Sequence, residues 1–156
     1  MTRRVVVVGV GNPDRGDDAA GQAVAAVLES EARAGVDIIL CSGEAARLLD
    51  ACEKADAVFF VDACVSGAPA GTVHRLDARA ELPAQTSFGL SSHGFGLAEA
   101  VALGKALDAL PPVCVIYAIE AACFDPGAVL SEAVARGVTE AAARLGAEIL
   151  ALQRGP

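Results

Sequence analysis

Asp18, Asp62 and His93 each come after an apolar run that predicts a strand, at a point where the chain should leave that strand for a turn or helix. In an open parallel α/β sheet, the carboxyl ends of the strands meet along one edge, where ligands bind. Two carboxylates and one imidazole suit a divalent cation in charge and in ligand type. The sequence therefore predicts a divalent-metal site at this edge.

The apolar runs that predict buried parallel strands are 4–8, 36–40, 57–61 and 113–119, and the alternation over Thr72–Asp77 predicts an edge strand. Helices are predicted over 19–28, 44–51, 97–110 and 130–152, the last broken or bent near Gly137, and a loop over 79–90. This order predicts a three-layer α/β fold. Its twisted sheet should have about five strands, mostly parallel with one antiparallel edge strand, and helices on both faces.

Composition narrows the class of protein. The chain has 156 residues, so 1–156 is expected to be one domain. A net charge of −8 disfavours nucleic-acid binding. The sequence shows no signal peptide and no apolar span that could cross a bilayer, so we expect a cytoplasmic protein without a membrane partner. Five cysteines without a CxxC pair predict reduced thiols, most of them in the core.

Three blocks of sequence resemble one enzyme family. Gly9–Gly21, with its GxGN turn and acidic pair, is similar to the opening signature of the NiFe-hydrogenase maturation endopeptidases. Val61–Ala63 and Ser91–Gly94 match the second and third blocks of that family in the same order, and the stretches Ile119–Glu120 and Gly127–Ser131 fit its C-terminal region. Together the blocks span nearly the whole chain.

The resemblance implies a metal-dependent endopeptidase with Asp18, Asp62 and His93 as metal contacts and catalytic residues. It implies that the metal is nickel supplied by the substrate, although zinc or cadmium can occupy such a site in vitro. The implied partner is a NiFe-hydrogenase large-subunit precursor, from which the enzyme removes a C-terminal extension after nickel insertion. No HExxH motif and no Ser/His/Asp or Cys/His set is visible, so the attacking group stays open.

Other polar residues have both an ordinary interpretation and a functional one. Asn12 should hold its turn or contact substrate, and Arg15 should be solvated or grip the C-terminal carboxylate of the substrate. Glu120 ends the last strand, where it would line the substrate cleft. His74 should face solvent on the edge strand. Asp17 and Asp18 could cap a helix, and Cys41 and Cys64 follow strands, where packing is favoured over contact with a soft metal.

Three alternatives stay open. The same three ligands could serve a noncatalytic nickel-delivery protein. The opening turn also resembles that of bacterial peptidyl-tRNA hydrolases, but no histidine occurs before His74. A dinucleotide-binding module would need glycine where Asp14 stands. One departure from the endopeptidases is Cys41–Glu44, where that family usually has an aspartate, a glycine pair and a threonine; this puts any role of the segment in doubt.

Overall fold

A computed structural model describes residues 3–80, 89–90 and 96–155. Within these ranges the strands are β1 (Val5–Val10), β2 (Val36–Cys41), β3 (Ala57–Val65), β4 (Val73–Asp77), β5 (Gly89–Leu90) and β6 (Val113–Glu120). The α-helices are α1 (Ala20–Ser30), α2 (Ala45–Cys52), α3 (Leu97–Ala106) and α4 (Glu132–Arg154), and a 3-10 turn (Gly16–Ala19) precedes α1. None of the described helices is long and apolar enough to span a membrane.

The main sheet has the order β2-β1-β3-β6-β4. Its first four strands are parallel, and β4 runs antiparallel to β6 at one edge. This confirms the predicted mostly parallel sheet of about five strands. The short β5 pairs antiparallel with β3 at Cys64 and Val65. The predicted loop over 79–90 is therefore wrong at Gly89–Leu90.

Both faces of the sheet are buried, as the unbroken runs of valine in β1 require. Val5 and Val7 belong to a core that α1 and α4 cover, whereas Val6 and Val8 belong to a second core with α2 and α3. Side chains that follow one another along a strand point to opposite faces. The sheet therefore separates the two cores and forms the middle of three layers.

Strand β3 is longer than predicted. The pairing of β1 with β3 ends at Gly9 and Val61, but β3 continues beside β6 as far as Cys64. On the side that β1 has left, β5 pairs with the extension. Asp62 therefore lies inside the strand and not at its end, so the predicted boundary is wrong because both neighbouring strands supply backbone partners beyond it.

Two close approaches explain glycines in the helices. A Cβ atom on Gly21 would lie 2.2 Å from the carbonyl oxygen of Val61, so only glycine lets the start of α1 sit this close to β3. In α4, a Cβ atom on Gly137 would lie 2.6 Å from the carbonyl oxygen of Gly71. The helix continues through Gly137. A break at Gly137 is therefore wrong, whereas a bend there stays a prediction. The glycine is required by the close packing against Gly71.

Candidate metal centre

Asp18 lies in the 3-10 turn before α1 and is 3% exposed. Its Oδ2 accepts a hydrogen bond of 3.0 Å from the backbone N–H of Asn12. Its Oδ1 is buried and accepts no hydrogen bond from any residue that the structure describes. A buried carboxylate oxygen without a donor is costly, and a cation is the partner that would compensate it most fully.

The neighbouring Asp17 has a different role. Its carboxylate accepts hydrogen bonds from the backbone N–H groups of Ala122, Cys123 and Ser131, at 2.8, 2.9 and 2.8 Å, and from the hydroxyl of Ser131. Asp17 is completely buried. It therefore ties the 3-10 turn to the segment after β6 and to the start of α4, which is a structural task.

Asp62 is also completely buried, on the sheet face that α2 and α3 cover. Its Oδ1 accepts a hydrogen bond of 2.8 Å from the backbone N–H of Ala63. The 3-10 turn that carries Asp18 packs against β3, which carries Asp62, so the two acids lie on contacting elements. His93, the third predicted ligand, lies outside the described residues, as do Ser91, Ser92 and Gly94.

The turn after β1 is organised by Asn12, as predicted. Its side-chain Oδ1 accepts a hydrogen bond of 2.8 Å from the backbone N–H of Asp14, which is the contact of an Asx turn. Arg15 follows in the same turn and is half-buried. Its backbone N–H donates a hydrogen bond to the backbone carbonyl of Asn12. A substrate contact by Asn12 or Arg15 stays a prediction.

A second polar cluster lies on the same sheet face as Asp62. It comprises Cys64 on β3, His74 on β4 and Glu120 at the end of β6, and one donor atom from each lies within 4.8 Å of the other two. Oε1 of Glu120 is 3.5 Å from the Cys64 sulfur and 3.2 Å from Nε2 of His74. Ser66 donates to the same carboxylate from its hydroxyl and its backbone N–H.

The environment of this cluster determines its charge. Burial, followed by the nearby charge of Glu120, raises the pKa of the Cys64 thiol well above its ordinary value. Burial alone would raise the pKa of Glu120 as well, but hydrogen bonds from Ser66, Cys64 and His74 lower it below its ordinary value. At neutral pH a protonated thiol therefore faces a charged carboxylate. The side chain of His74 is only 24% exposed, so the predicted solvent-facing position does not describe it.

The remaining cysteines fit the prediction of reduced thiols. All five cysteines are free, and Cys41, Cys52, Cys64 and Cys114 are buried. The sulfur of Cys41 lies 3.5 Å from a carboxylate oxygen of Glu44 and accepts a hydrogen bond from the N–H of Gly43. The thiol of Cys41 thus holds the segment Cys41–Glu44, which differs from the sequence that the endopeptidases usually have at this place.

Comparison with known proteins decides the family. The sequence model of HycI, hydrogenase maturation protease, matches residues 22–148. The chain belongs to the hydrogenase maturation protease family. The matched range includes Asp62 and the position of His93 and begins after Asp18. No curated protein matches the chain.

Solved structures of this family have the same fold. The maturation protease HycI from Thermococcus kodakarensis KOD1 is 28% identical, with a TM-score of 0.70 over 96% of this chain and 93% of that one. HybD from E. coli is 22% identical, with a TM-score of 0.74 over 94% and 91% of the two chains. HybD from Thermococcus kodakarensis is 21% identical, with a TM-score of 0.73 over 94% and 99%.

Proposed function

We propose that this maturation protease removes the C-terminal extension of a nickel-loaded NiFe-hydrogenase large-subunit precursor, and that Asp18, Asp62 and His93 contact the nickel. One observation carries this assignment: a buried carboxylate oxygen of Asp18 has no donor among the described residues, in a chain of this family. The nickel belongs to the substrate. The protein contributes the acids that recognise it.

The burial of both acids supports selection for loaded precursor. Asp18 and Asp62 are 3% and 0% exposed, so neither carboxylate is well solvated. Two such carboxylates on contacting elements repel each other and gain most from a divalent cation. A precursor without nickel would bring no cation to the buried Asp18 oxygen that accepts no hydrogen bond from the described residues. We therefore expect binding energy to be available only when the metal is already in the precursor.

Glu120 fits this proposal less well as a substrate contact. Its carboxylate is 2% exposed and accepts hydrogen bonds from Ser66 while lying next to Cys64 and His74. These internal contacts use both carboxylate oxygens, so the side chain is held inside the protein. The first substrate contacts to test are therefore Asn12 and Arg15.

The test compares nickel-loaded and nickel-free precursor in the same reaction, with products weighed by mass spectrometry. We expect shortening of the loaded precursor alone. Asp18→Asn should abolish the shortening, since it removes one charge at the nickel contact. The matched control is Asp14→Asn, an exposed acid in the same turn, which should process precursor at the wild-type rate.

Other outcomes have definite meanings. Binding of loaded precursor without shortening would support the noncatalytic nickel-delivery function instead. Equal shortening of loaded and nickel-free precursor would reject nickel recognition. Full activity of Asp18→Asn, or of His93→Ala, would remove that residue from the site.

A further inference from the structure

We propose that Cys64, His74 and Glu120 form a second metal site, with ligands different from the predicted Asp18, Asp62 and His93 set, that binds a divalent transition-metal cation such as zinc. The three donor atoms come from three adjacent strands and converge on one point. This inference does not depend on precursor cleavage.

The spacing of the donors matches a tetrahedral ion. Metal bonds of about 2.0–2.3 Å place neighbouring ligand atoms of a tetrahedron about 3.3–3.8 Å apart. The distances from Oε1 of Glu120 to the Cys64 sulfur and to Nε2 of His74 are 3.5 and 3.2 Å. All three atoms lie within 4.8 Å of one another, so small side-chain movements would complete three of the four positions. A water molecule would supply the fourth.

The donor types favour a zinc-like ion over magnesium or calcium. Thiolate, imidazole and carboxylate together are a mixed sulfur, nitrogen and oxygen set, whereas the harder cations prefer oxygen alone. Asp62 lies two residues from Cys64 on the same face of β3 and adds negative charge nearby. On binding, the thiol proton would leave to solvent as the sulfur–metal bond forms.

The surroundings hold the ligands in place. Ser66 donates to Glu120 from its backbone N–H, 3.1 Å from both carboxylate oxygens, and also from its hydroxyl. Such bonds to a ligating carboxylate orient it toward a metal. Cys64 and Glu120 are almost fully buried, whereas His74 is partly exposed on the edge strand. The imidazole side of the cluster therefore provides the entry path for an ion.

The same geometry argues against a nucleophilic dyad. An activated cysteine needs the imidazole as its direct hydrogen-bond partner, with a carboxylate behind that imidazole. Here both the Cys64 sulfur and Nε2 of His74 contact Oε1 of Glu120. The carboxylate thus stands at the centre of the cluster, which suits shared coordination and not proton relay from thiol to histidine.

Cobalt(II) is the probe, because it replaces zinc in such sites and gives a thiolate-to-metal charge-transfer absorption in the near ultraviolet. Titration of the full chain with cobalt chloride should produce this band, saturate at one cobalt per chain, and be reversed by zinc. Cys64→Ser should abolish the band. His74→Gln, at a partly exposed position, should weaken cobalt binding by at least roughly 10-fold, since even the loss of an outer partner of a ligand costs that much.

Cys41→Ser is the matched control. Its thiol is also buried and also lies 3.5 Å from a carboxylate, but Cys41, Glu44 and a histidine do not form a metal-binding group among the described residues. The band should persist in this variant. Absence of the band from wild-type protein, its survival in Cys64→Ser, unchanged affinity in His74→Gln, or its loss in Cys41→Ser would each overturn the proposal. The Asp18, Asp62 and His93 set has no sulfur ligand, so precursor processing and this absorption are independent readings.

Discussion

Two adjacent acids in the 3-10 turn should respond in opposite ways to the same substitution. Asp17→Asn should destabilise the protein, whereas Asp18→Asn should leave its stability unchanged or raise it. The reason is the difference in hydrogen bonding: Asp17 accepts from three backbone N–H groups and a hydroxyl, whereas one oxygen of Asp18 accepts nothing from the described residues. Precursor cleavage should respond in the opposite way, because Asp18→Asn should abolish it whereas Asp17→Asn should affect it less.

The magnitude follows from the donors that lose an acceptor. Asparagine at position 17 keeps one acceptor oxygen. That oxygen can accept hydrogen bonds either from the N–H groups of Ala122 and Cys123 or from Ser131. The NH₂ group, which cannot accept, would then face the remaining donors. Hydrogen bonds to a charged group contribute about 1.5–3 kcal/mol each. Loss of one or two of them gives about 1.5–6 kcal/mol for Asp17→Asn.

For Asp18→Asn, the remaining carbonyl oxygen can keep the bond from the N–H of Asn12, and a buried charge disappears. We expect a change within about 0.5 kcal/mol, or a gain, because removal of an uncompensated buried charge is favourable.

Urea denaturation followed by circular dichroism measures both variants, with the slope against urea checked for two-state behaviour. For a chain of this size, a loss of about 3 kcal/mol corresponds to a fall in Tm of roughly 6–12 °C. Equal destabilisation by the two substitutions would refute the separate roles, since it would mean that Asp18 is also held by structural donors. An unchanged free energy of unfolding in Asp17→Asn would show that the hydrogen bonds that Asp17 accepts from the segment after β6 and from the start of α4 contribute little to stability.

Two further substitutions test the fold. Gly21→Ala should lower the free energy of unfolding by about 3 kcal/mol, the upper end of the usual cost of overpacking, because its Cβ would meet the backbone carbonyl of Val61 at 2.2 Å. A loss below about 1 kcal/mol in urea denaturation would contradict this packing. For Glu148, burial alone would raise the pKa, but hydrogen bonds from Arg75 and Tyr117 lower it below its ordinary value of 4.5. This carboxylate therefore stabilises the fold above that value, and the benefit is lost as the pH falls through the folded-state pKa. The stability difference between wild type and Glu148→Gln should accordingly shrink in acid; a pH-independent difference would contradict the ion pair.

The strands that bury both faces were predictable because their signal is local. Val5–Val8 has β-branched side chains throughout, which favours a strand buried on both sides. The end of β3 was not predictable in this way. Asp62 interrupts the apolar run, yet the strand continues to Val65 because β5 and β6 pair with it. The break predicted at Gly137 failed for a similar reason. The glycine is required by a close contact with Gly71, and that contact comes from tertiary packing, which the local sequence does not show.

The two candidate sites differ in how far each can be predicted from the order of strands and helices along the chain. Asp18 follows β1, and Asp62 lies in β3 just beyond the last residue that pairs with β1. These strands are parallel neighbours, so the topology alone brings the two acids toward one edge. The cluster of Cys64, His74 and Glu120 depends on lateral order and register instead. It forms because β4 reverses direction beside β6, which places His74 opposite Ala118 and on the face that Glu120 shares. A shift of one residue in that register would turn the imidazole to the other face of the sheet. No spacing motif encodes this pairing, so the second site emerges only from the folded sheet.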